Sequence, residues 1–569
     1  MQKPRNFILR IFVSGIIVAE YHLRNRMKKN YTAILSLLLF STLKLLAQTD
    51  GGILPLPTAT LDSTRLPIVF INTNFQSIVD EPKIEAGMAI LDNGYNVMNH
   101  VTDVNYKYYG KIGIEQRGSI SQQWWWTQKS YAVETHDISG ADSSAVILGM
   151  PKETDWVLYG PFNETTLMHN VLTYQMVREL GYWVTRAKYC EMMLKTGFTW
   201  NYNGVYVMME KIKRGKNRVD ISKLDTNDNA GDSLTGGYIF AVDKNINAPD
   251  SGWYSKHPQS TNLFLTYKYP KGDVITKQQK SYLQAYVDSF ENALSAANFA
   301  DPVNGYRKYM EPSTFMDFFF IQELSKNLDA YKRSSYLYKD KFSKGGRIQA
   351  NPHWDYNSAW EVKLGGCEAF AADTGWTYPL TCWIHGANYP VPFWWKRLLQ
   401  DTTYTRDMKC RWNQLRSTVF STTNIYHIMD SIANYITIPA ARHYSQFSMT
   451  QNFQTEVNNL KTWIGKRLTW MDAHMPGNCW NSSAGTETSF EKSVMVYPNP
   501  SSGKLTLESP FTKIERIEVI DIYGRRVASV SCSAFSANID ISFQPCGIYF
   551  LKCYSASGPS VTLKVVKME

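Results

Sequence analysis

The chain has 569 residues, of which 19% are charged and 14% aromatic, enough apolar material for a large packed core and a composition that excludes a disordered chain. Its formal charge of +10 is concentrated in the leader, where the Lys and Arg residues from Lys3 to Lys44 face only Glu20. Beyond the leader the balance is nearly even, no long run of one sign remains, and nucleic acid is not expected as a partner.

Met27-Lys28-Lys29 followed by the apolar stretch Ile34 to Leu46 predicts a secretory signal, with Ala47 as the small residue before the cut and a mature start near Gln48. Met27 is the expected start, and the basic-apolar patch from Arg10 to Ala19 is either an alternative signal or lies upstream of the true start. The apolar stretch is short for a membrane span, so residues 1–47 are read as a leader and no transmembrane span is expected in the mature chain. Eight cysteines are present without a Cys-x-x-Cys pair, which argues against zinc or thioredoxin-like chemistry and, for an exported protein, predicts disulfides. Cys367 and Cys382 bracket a Gly- and aromatic-rich loop and are the first candidates for a bond; free thiols are the alternative.

Composition breaks divide the remainder. Residues 48–65 form a polar lead, residues 66–480 one large domain, residues 481–493 a Ser/Thr/Gly linker and residues 494–569 a small unit of short alternating segments. In the large domain, Leu66 to Ile71 reads as a strand with Pro67 at its start or on a sheet edge. Gly110 to Gly118, Lys129 to Glu134, Trp156 to Tyr159 and Gly204 to Lys211 read as further strands, and period-2 geometry puts Lys129, Tyr131 and Val133 on one face. Leu167 to Leu180 carries a helical apolar stripe, Thr314 to Lys326 a helix with a thick aromatic face, and Leu460 to Met471 a helix that ends before Pro476 and Gly477. Strands that feed helices in this way predict an α+β domain. Turns at Asn499-Pro500, Ser502-Gly503, Tyr523-Gly524 and Cys546-Gly547 predict that the tail is a small β-sandwich.

Polar groups converge around one predicted hairpin. Asn327, Asp329 and Lys332 follow the aromatic helix, and Trp354-Asp355-Tyr356-Asn357 follows the strand-like Ser335 to Tyr338 and the turn at Gly345-Gly346. Two carboxylates and a cation suit phosphoryl transfer, one acid orienting a hydroxyl and the other holding Mg2+ on the phosphates. A glycosidase pair is a weaker use of the same acids.

Ordered blocks of sequence carry a resemblance. Glu115-Gln116-Arg117-Gly118-Ser119, Lys129-Ser130-Tyr131, Trp156-Val157-Leu158, Met168-His169-Asn170, Glu210-Lys211-Ile212-Lys213, Asn217-Arg218-Val219-Asp220, Gly236-Gly237-Tyr238-Ile239, Asn327-Leu328-Asp329 and Pro352 to Asn357 resemble successive blocks of the CotH family. The resemblance implies an atypical secreted kinase on a reduced kinase-like fold, phosphorylating Ser or Thr of a protein substrate with ATP and Mg2+ or Mn2+. Carried over by position, it makes Asp355 the metal-binding Asp, Asp329 the catalytic base and Asn357 a second metal ligand. It places Lys129 on the α- and β-phosphates, with Arg117, Glu210 and Lys211 in the nucleotide site. His169, Asn357 and Glu361 depart from the pattern, where a basic residue, an Asp and a Gly are more usual, and each departure bears on nucleotide or metal binding. The tail, with Val496-Tyr497-Pro498-Asn499-Pro500, Val519 to Arg525 and Gly547 to Leu551, resembles the type IX secretion C-terminal sorting domain. That implies handling by the type IX secretion machinery and a secreted or outer-membrane surface location.

Plainer readings stand beside these. Asp355 is also readable as a structural carboxylate on backbone amides, Asp329 as a turn cap and Lys129 as a solvated strand lysine. Trp124-Trp125-Trp126 reads as core or as the lining of a groove. The alternative to a kinase is a catalytically inactive surface module that binds glycans or partner proteins.

Overall fold

The computed structural model describes residues 61–118, 122–123, 126–246, 248, 250–362, 366–381, 389–479, 494–509, 513–555 and 560–568. The expected leader, most of the polar lead, the linker, Trp124, Trp125 and Cys382 lie outside the described residues. The chain divides into two compact units, one up to Asn478 and one from Cys479.

In the first unit seven strands close into a barrel: β1 (Ile68–Asn72), β2 (Ile84–Leu91), β3 (Tyr106–Arg117), β4 (Ser130–Thr135), β5 (Asp155–Tyr159), β6 (Ala187–Lys195) and β7 (Asn201–Glu210). They run in the order β6-β7-β5-β4-β3-β2-β1. All neighbours are antiparallel except at the closing seam, where β6 runs parallel to β1 and Glu191 pairs with Ile68. Alternation along each strand builds the barrel. Ile112, Ile114, Tyr131, Val133, Trp156, Leu158, Tyr206 and Met208 fill the interior, and the hairpin of Ala145–Ile147 with Met150–Glu153 adds Ile147, Leu148 and Met150. Val157, Val205, Val207 and Met209 face the other way, into a second and larger core. A slip of one residue in β5 would turn Trp156 and Leu158 out of the barrel core and Val157 into it, so that neither core would be filled as it is.

The larger core is shared with a five-stranded antiparallel sheet and the helices. The sheet contains β8 (Tyr238–Val242), β9 (Gly252–Tyr254), β10 (Phe264–Tyr269), β11 (Ser335–Lys339) and β12 (Ile348–Gln349) in the order β9-β10-β8-β11-β12. Gly236-Gly237 leads into β8 because neither position has room for a side chain. A Cβ on Gly236 would stand 1.9 Å from the Lys341 nitrogen, and Gly237 has a φ of +94°.

The longer helices are α1 (His169–Glu179), α2 (Lys277–Ser295), α3 (Pro312–Ser325), α4 (Thr402–Arg416), α5 (Thr422–Gln446) and α6 (Phe453–His474). Thr276 and Gln279 form a capping box on α2, and Asn452 caps α6. The aromatic helix expected over Thr314 to Lys326 is α3, but it has no exposed side from Thr314 to Ser325. It is packed by α1, α4 and α6, which is why its sequence is apolar all round rather than striped. Its buried Glu323 is matched by the equally buried Arg467 of α6, which donates to the Glu323 carbonyl at 2.7 and 2.9 Å. The Glu323 carboxylate in turn accepts the backbone amides of Thr377 and Tyr378 at 2.6 and 3.0 Å.

The second unit is β-rich. A three-stranded sheet (Met495–Tyr497, Lys504–Glu508, Ser536–Asp540) and a four-stranded sheet (Ile514–Asp521, Arg526–Ala534, Gly547–Ser555, Ser560–Lys567) contribute to one core around Leu507, Ile517, Val519, Ile539, Leu551 and Val565. Cys367, Cys410 and Cys479 are disulfide-bonded, while Cys190, Cys532, Cys546 and Cys553 are free. Helices and sheets together make the chain α+β.

Candidate functional site

Two acidic loops come together because their backbones are laced to each other. At the C-terminal end of α3, Lys326 turns the chain with a left-handed φ of +49°. The Trp360 amide then donates to the Ser325 carbonyl at 2.7 Å, the Leu328 amide to the Ser358 carbonyl at 3.1 Å, and Asn327 Nδ2 to the Asp355 carbonyl at 3.3 Å. Helix α1 supplies the third wall. Asn170 Oδ1 accepts the Tyr356 amide at 2.8 Å, the Tyr174 hydroxyl accepts the Asp355 amide at 3.3 Å, and Thr173 Oγ1 accepts Trp360 Nε1 at 2.9 Å. Asp355 itself has a φ of +67°, a conformation that Asp and Asn tolerate better than most side chains.

This lacing puts both carboxylates on one cavity. A small pocket of about 110 Å³ is lined by Asp329, Asp355, Asn357, Arg117, Arg333 and Ser130, among others. It adjoins a pocket of about 700 Å³, and Trp126, Asp329 and Arg333 line both. The larger one also carries Asn163, Trp360, Glu361, Trp463 and Lys466. Arg333 Nη1 stands 3.3 Å from Asp329 Oδ1, and the Ser334 hydroxyl donates to Asp355 Oδ2 at 3.1 Å. On the far side of Ser334, the Asp243 carboxylate pairs with Lys268 Nζ at 2.8 Å.

Charge is crowded here. Burial and the Asp329 carboxylate push the Asp355 carboxyl up to about 6, against the pull of Ser334, Arg333 and Arg117. Burial alone would lower the Arg333 guanidinium, but Asp329 and Asp355 outweigh it and hold it above its ordinary value. A third acid, Glu164, is buried next to them and is pushed up to about 8, first by burial and further by Asp355. It accepts the Tyr159 hydroxyl and, at 2.9 Å, the His169 amide. Burial pulls His169 down to about 4, so at neutral pH its ring is uncharged.

Several buried polar atoms along the two cavities lack hydrogen-bond partners among the described residues: Asn357 Oδ1, Asn163 Oδ1, Arg333 Nε and Trp126 Nε1. Buried polar groups are normally paired, and such a group costs about 1–3 kcal/mol. Oxygens left open beside two carboxylates are what a hard divalent cation would satisfy.

The structure brings together four of the residues singled out from sequence: Asp329, Asp355, Asn357 and Arg117, the last with its guanidinium 5.7 Å from the Trp354 ring centroid. It does not bring the other three to either cavity. Lys129 immediately precedes β4, and its Nζ donates to the Gln123 carbonyl at 2.7 Å. Glu210 is fully buried at the end of β7, held by Arg186 at 2.8 Å and near Arg218 at 3.6 Å. Lys211 lies 3.3 Å from Asp155 in the neighbouring ion network. Arg333, Ser334, Glu164 and Asn163 were not anticipated. Arg333 sits one turn after Asp329 as an i,i+4 partner, and Asn163-Glu164 lies between the Gly160-Pro161 turn and α1, which are the two signals that mark them.

The secretion system C-terminal sorting domain matches residues 495–568; it indicates type IX secretion to the cell surface or outside. Among the described residues no helix is long and apolar enough to cross a membrane. No curated protein matches the chain. The CotH kinase protein family matches residues 114–471, more than half of the chain and including every residue that lines the paired cavities; membership suggests nucleotide and metal use in general, and the chain belongs to the CotH kinase protein family.

Proposed function

We propose that the chain is an exported protein kinase that transfers the γ-phosphate of ATP to Ser or Thr hydroxyls of a protein substrate, with Mg2+ or Mn2+. The observation that carries this reading is the shared cavity of Asp329 and Asp355, lined by two guanidiniums and by buried oxygens that lack donors. Asp355 and Asn357 would hold the cation, which supplies charge neutralisation on the phosphates. Asp329 orients the acceptor hydroxyl and takes its proton as the oxygen attacks the γ-phosphorus and ADP departs. Arg333 holds Asp329 in place and, with Arg117, lies opposite the charge that develops on the transferring group. The kinase-like fold, the nucleotide site and the boundary of the catalytic domain near residues 66–480 belong to the same proposal.

The test is transfer of label from γ-labelled ATP, with Mg2+ or Mn2+, by the purified protein onto itself or onto extracts of the producing cell surface. Asp329→Asn and Asp355→Asn are each expected to lower the rate roughly a hundred-fold or more. Transfer that survives Asp355→Asn sinks the assignment. The three tryptophans of the larger cavity, Trp126, Trp360 and Trp463, favour one second reading, a silent module that takes glycans or peptides there. Glycan or peptide binding with no nucleotide binding would support it.

A further inference from the structure

We infer that Asn163 is a further oxygen ligand, direct or through one water, for the divalent cation that the reading above places at Asp355 and Asn357; the inference rests on that reading. Asn163 lies on the loop between β5 and α1, and its Nδ2 donates to the Asn357 carbonyl at 3.3 Å. A backbone carbonyl can only accept, so chemistry fixes which end of the Asn163 amide faces it. With Nδ2 anchored and the amide planar, Oδ1 is fixed as well. That oxygen is buried and has no hydrogen-bond donor among the described residues, and Asn357 Oδ1 is in the same condition; Asp329 Oδ1 is met by the Arg333 guanidinium at 3.3 Å.

These two amide oxygens, from two loops joined by the Asn163–Asn357 hydrogen bond, lie along two adjoining cavities. A hard cation with six or more oxygen ligands accommodates both of them together with Asp355, directly or with one water between. Neutral amide oxygens also add ligands without adding to the repulsion between Asp329 and Asp355. A purely structural role for Asn163, tying its loop to the Asn357 carbonyl, uses Nδ2 alone and leaves Oδ1 unexplained.

The two roles predict opposite results for one substitution. Asn163→Asp keeps the shape, loses the Nδ2 donor and offers the cation a charged oxygen. Mn2+ alone, titrated into purified protein at pH 7.5 without nucleotide and followed by electron paramagnetic resonance, is expected to bind roughly ten-fold tighter to Asn163→Asp and roughly ten-fold weaker to Asn163→Ala. Melting of each variant in chelator checks folding, and Asn163→Ser replaces the Ala variant if that one is unfolded. Weaker or unchanged binding by Asn163→Asp overturns the inference, as does an equal gain from Thr165→Asp, which adds the same charge to the same cavity at a different position. If wild-type protein takes up no Mn2+, or Asp355→Asn takes it up as well as wild type, the cation site itself is refuted, and the inference with it.

Discussion

Asp355 shares its cavity with Asp329, and burial together with the Asp329 charge pushes the Asp355 carboxyl up to about 6. The folded protein without metal therefore holds this proton more tightly than the unfolded chain, whose Asp titrates near 4. Stability from this group is fully present below about pH 4 and is lost as pH rises through 6. In chelator, Asp355→Asn is expected to be more stable than wild type at pH 7.5 by about 1–3 kcal/mol, with the gap closing near pH 4.5. Denaturant melts at the two pH values measure it, and an Asn variant that is less stable at pH 7.5 contradicts the crowding of the two acids. Saturating Mn2+ should reverse the order, because a bound cation favours the ionised carboxylate.

Arg333 is the nearest counter-charge to Asp329 and also neutralises Asp355. Arg333→Gln keeps much of the bulk and removes the charge, leaving two buried acids facing each other. The expected result is a loss of about 2–4 kcal/mol in stability without metal, smaller when Mn2+ is present. Labelling from ATP should fall more steeply than stability does. A variant with wild-type melting in chelator would show that Arg333 does not hold the acids.

Arg467 and Glu323 are both fully buried, and the Glu323 carboxylate holds the Thr377 and Tyr378 amides. Arg467→Met removes one charge and strands the other. A cost of about 3–5 kcal/mol is expected, read as a lower denaturant midpoint. Because Asp373, just before that loop, lines the larger cavity, proteolysis near residues 373–378 should also quicken. Replacing both partners, Glu323→Gln with Arg467→Met, should recover part of the loss.

Gly236→Ala would place a methyl group 1.9 Å from the Lys341 nitrogen and 2.0 Å from the Asp340 carbon, both backbone atoms. Backbone cannot step aside as a side-chain tip can, so β8 would lose its alignment with β11. The expected outcome is little or no folded protein, a loss of more than about 4 kcal/mol. Gly345→Ala is the contrast: its Cβ meets nothing within 4 Å, and only its φ of +94° opposes the change, at about 1–2 kcal/mol. Soluble yield and circular dichroism of the pair decide the matter.

Much of the strand pattern was legible because it obeys period 2. Tyr131 and Val133 share a face, as do Trp156 and Leu158, and each pair points into the barrel. The same rule placed Lys129 with Tyr131 and Val133, but the cavity lies on the other side, where Ser130 lines it. Alternation tells which residues share a side and not which side meets a ligand. The acidic pair was legible from type and spacing around a hairpin, yet what joins the loops is Asn327 Nδ2 on the Asp355 carbonyl and α1 beneath them, contacts to backbone that no pattern announces. Arg333 and Glu164 escaped for a related reason. A lone Arg after a turn and a lone Glu before a helix are ordinary in sequence, and only burial beside Asp355 makes them unusual. The α3 helix was legible as helix, but its burial on every side depends on α1, α4 and α6 arriving from far along the chain.

The parallel seam of the barrel sets an order of events for a chain that emerges from its N-terminus. Residue 68 has to wait for residue 191 before its strand gains a partner on that side, and loop closure over such a span is slow relative to hairpin formation. Until then the growing sheet offers two raw edges to any neighbour. An exported chain of this design benefits from a holdase that occupies those edges, and fragments ending before Lys195 are expected to clump where slightly longer ones do not.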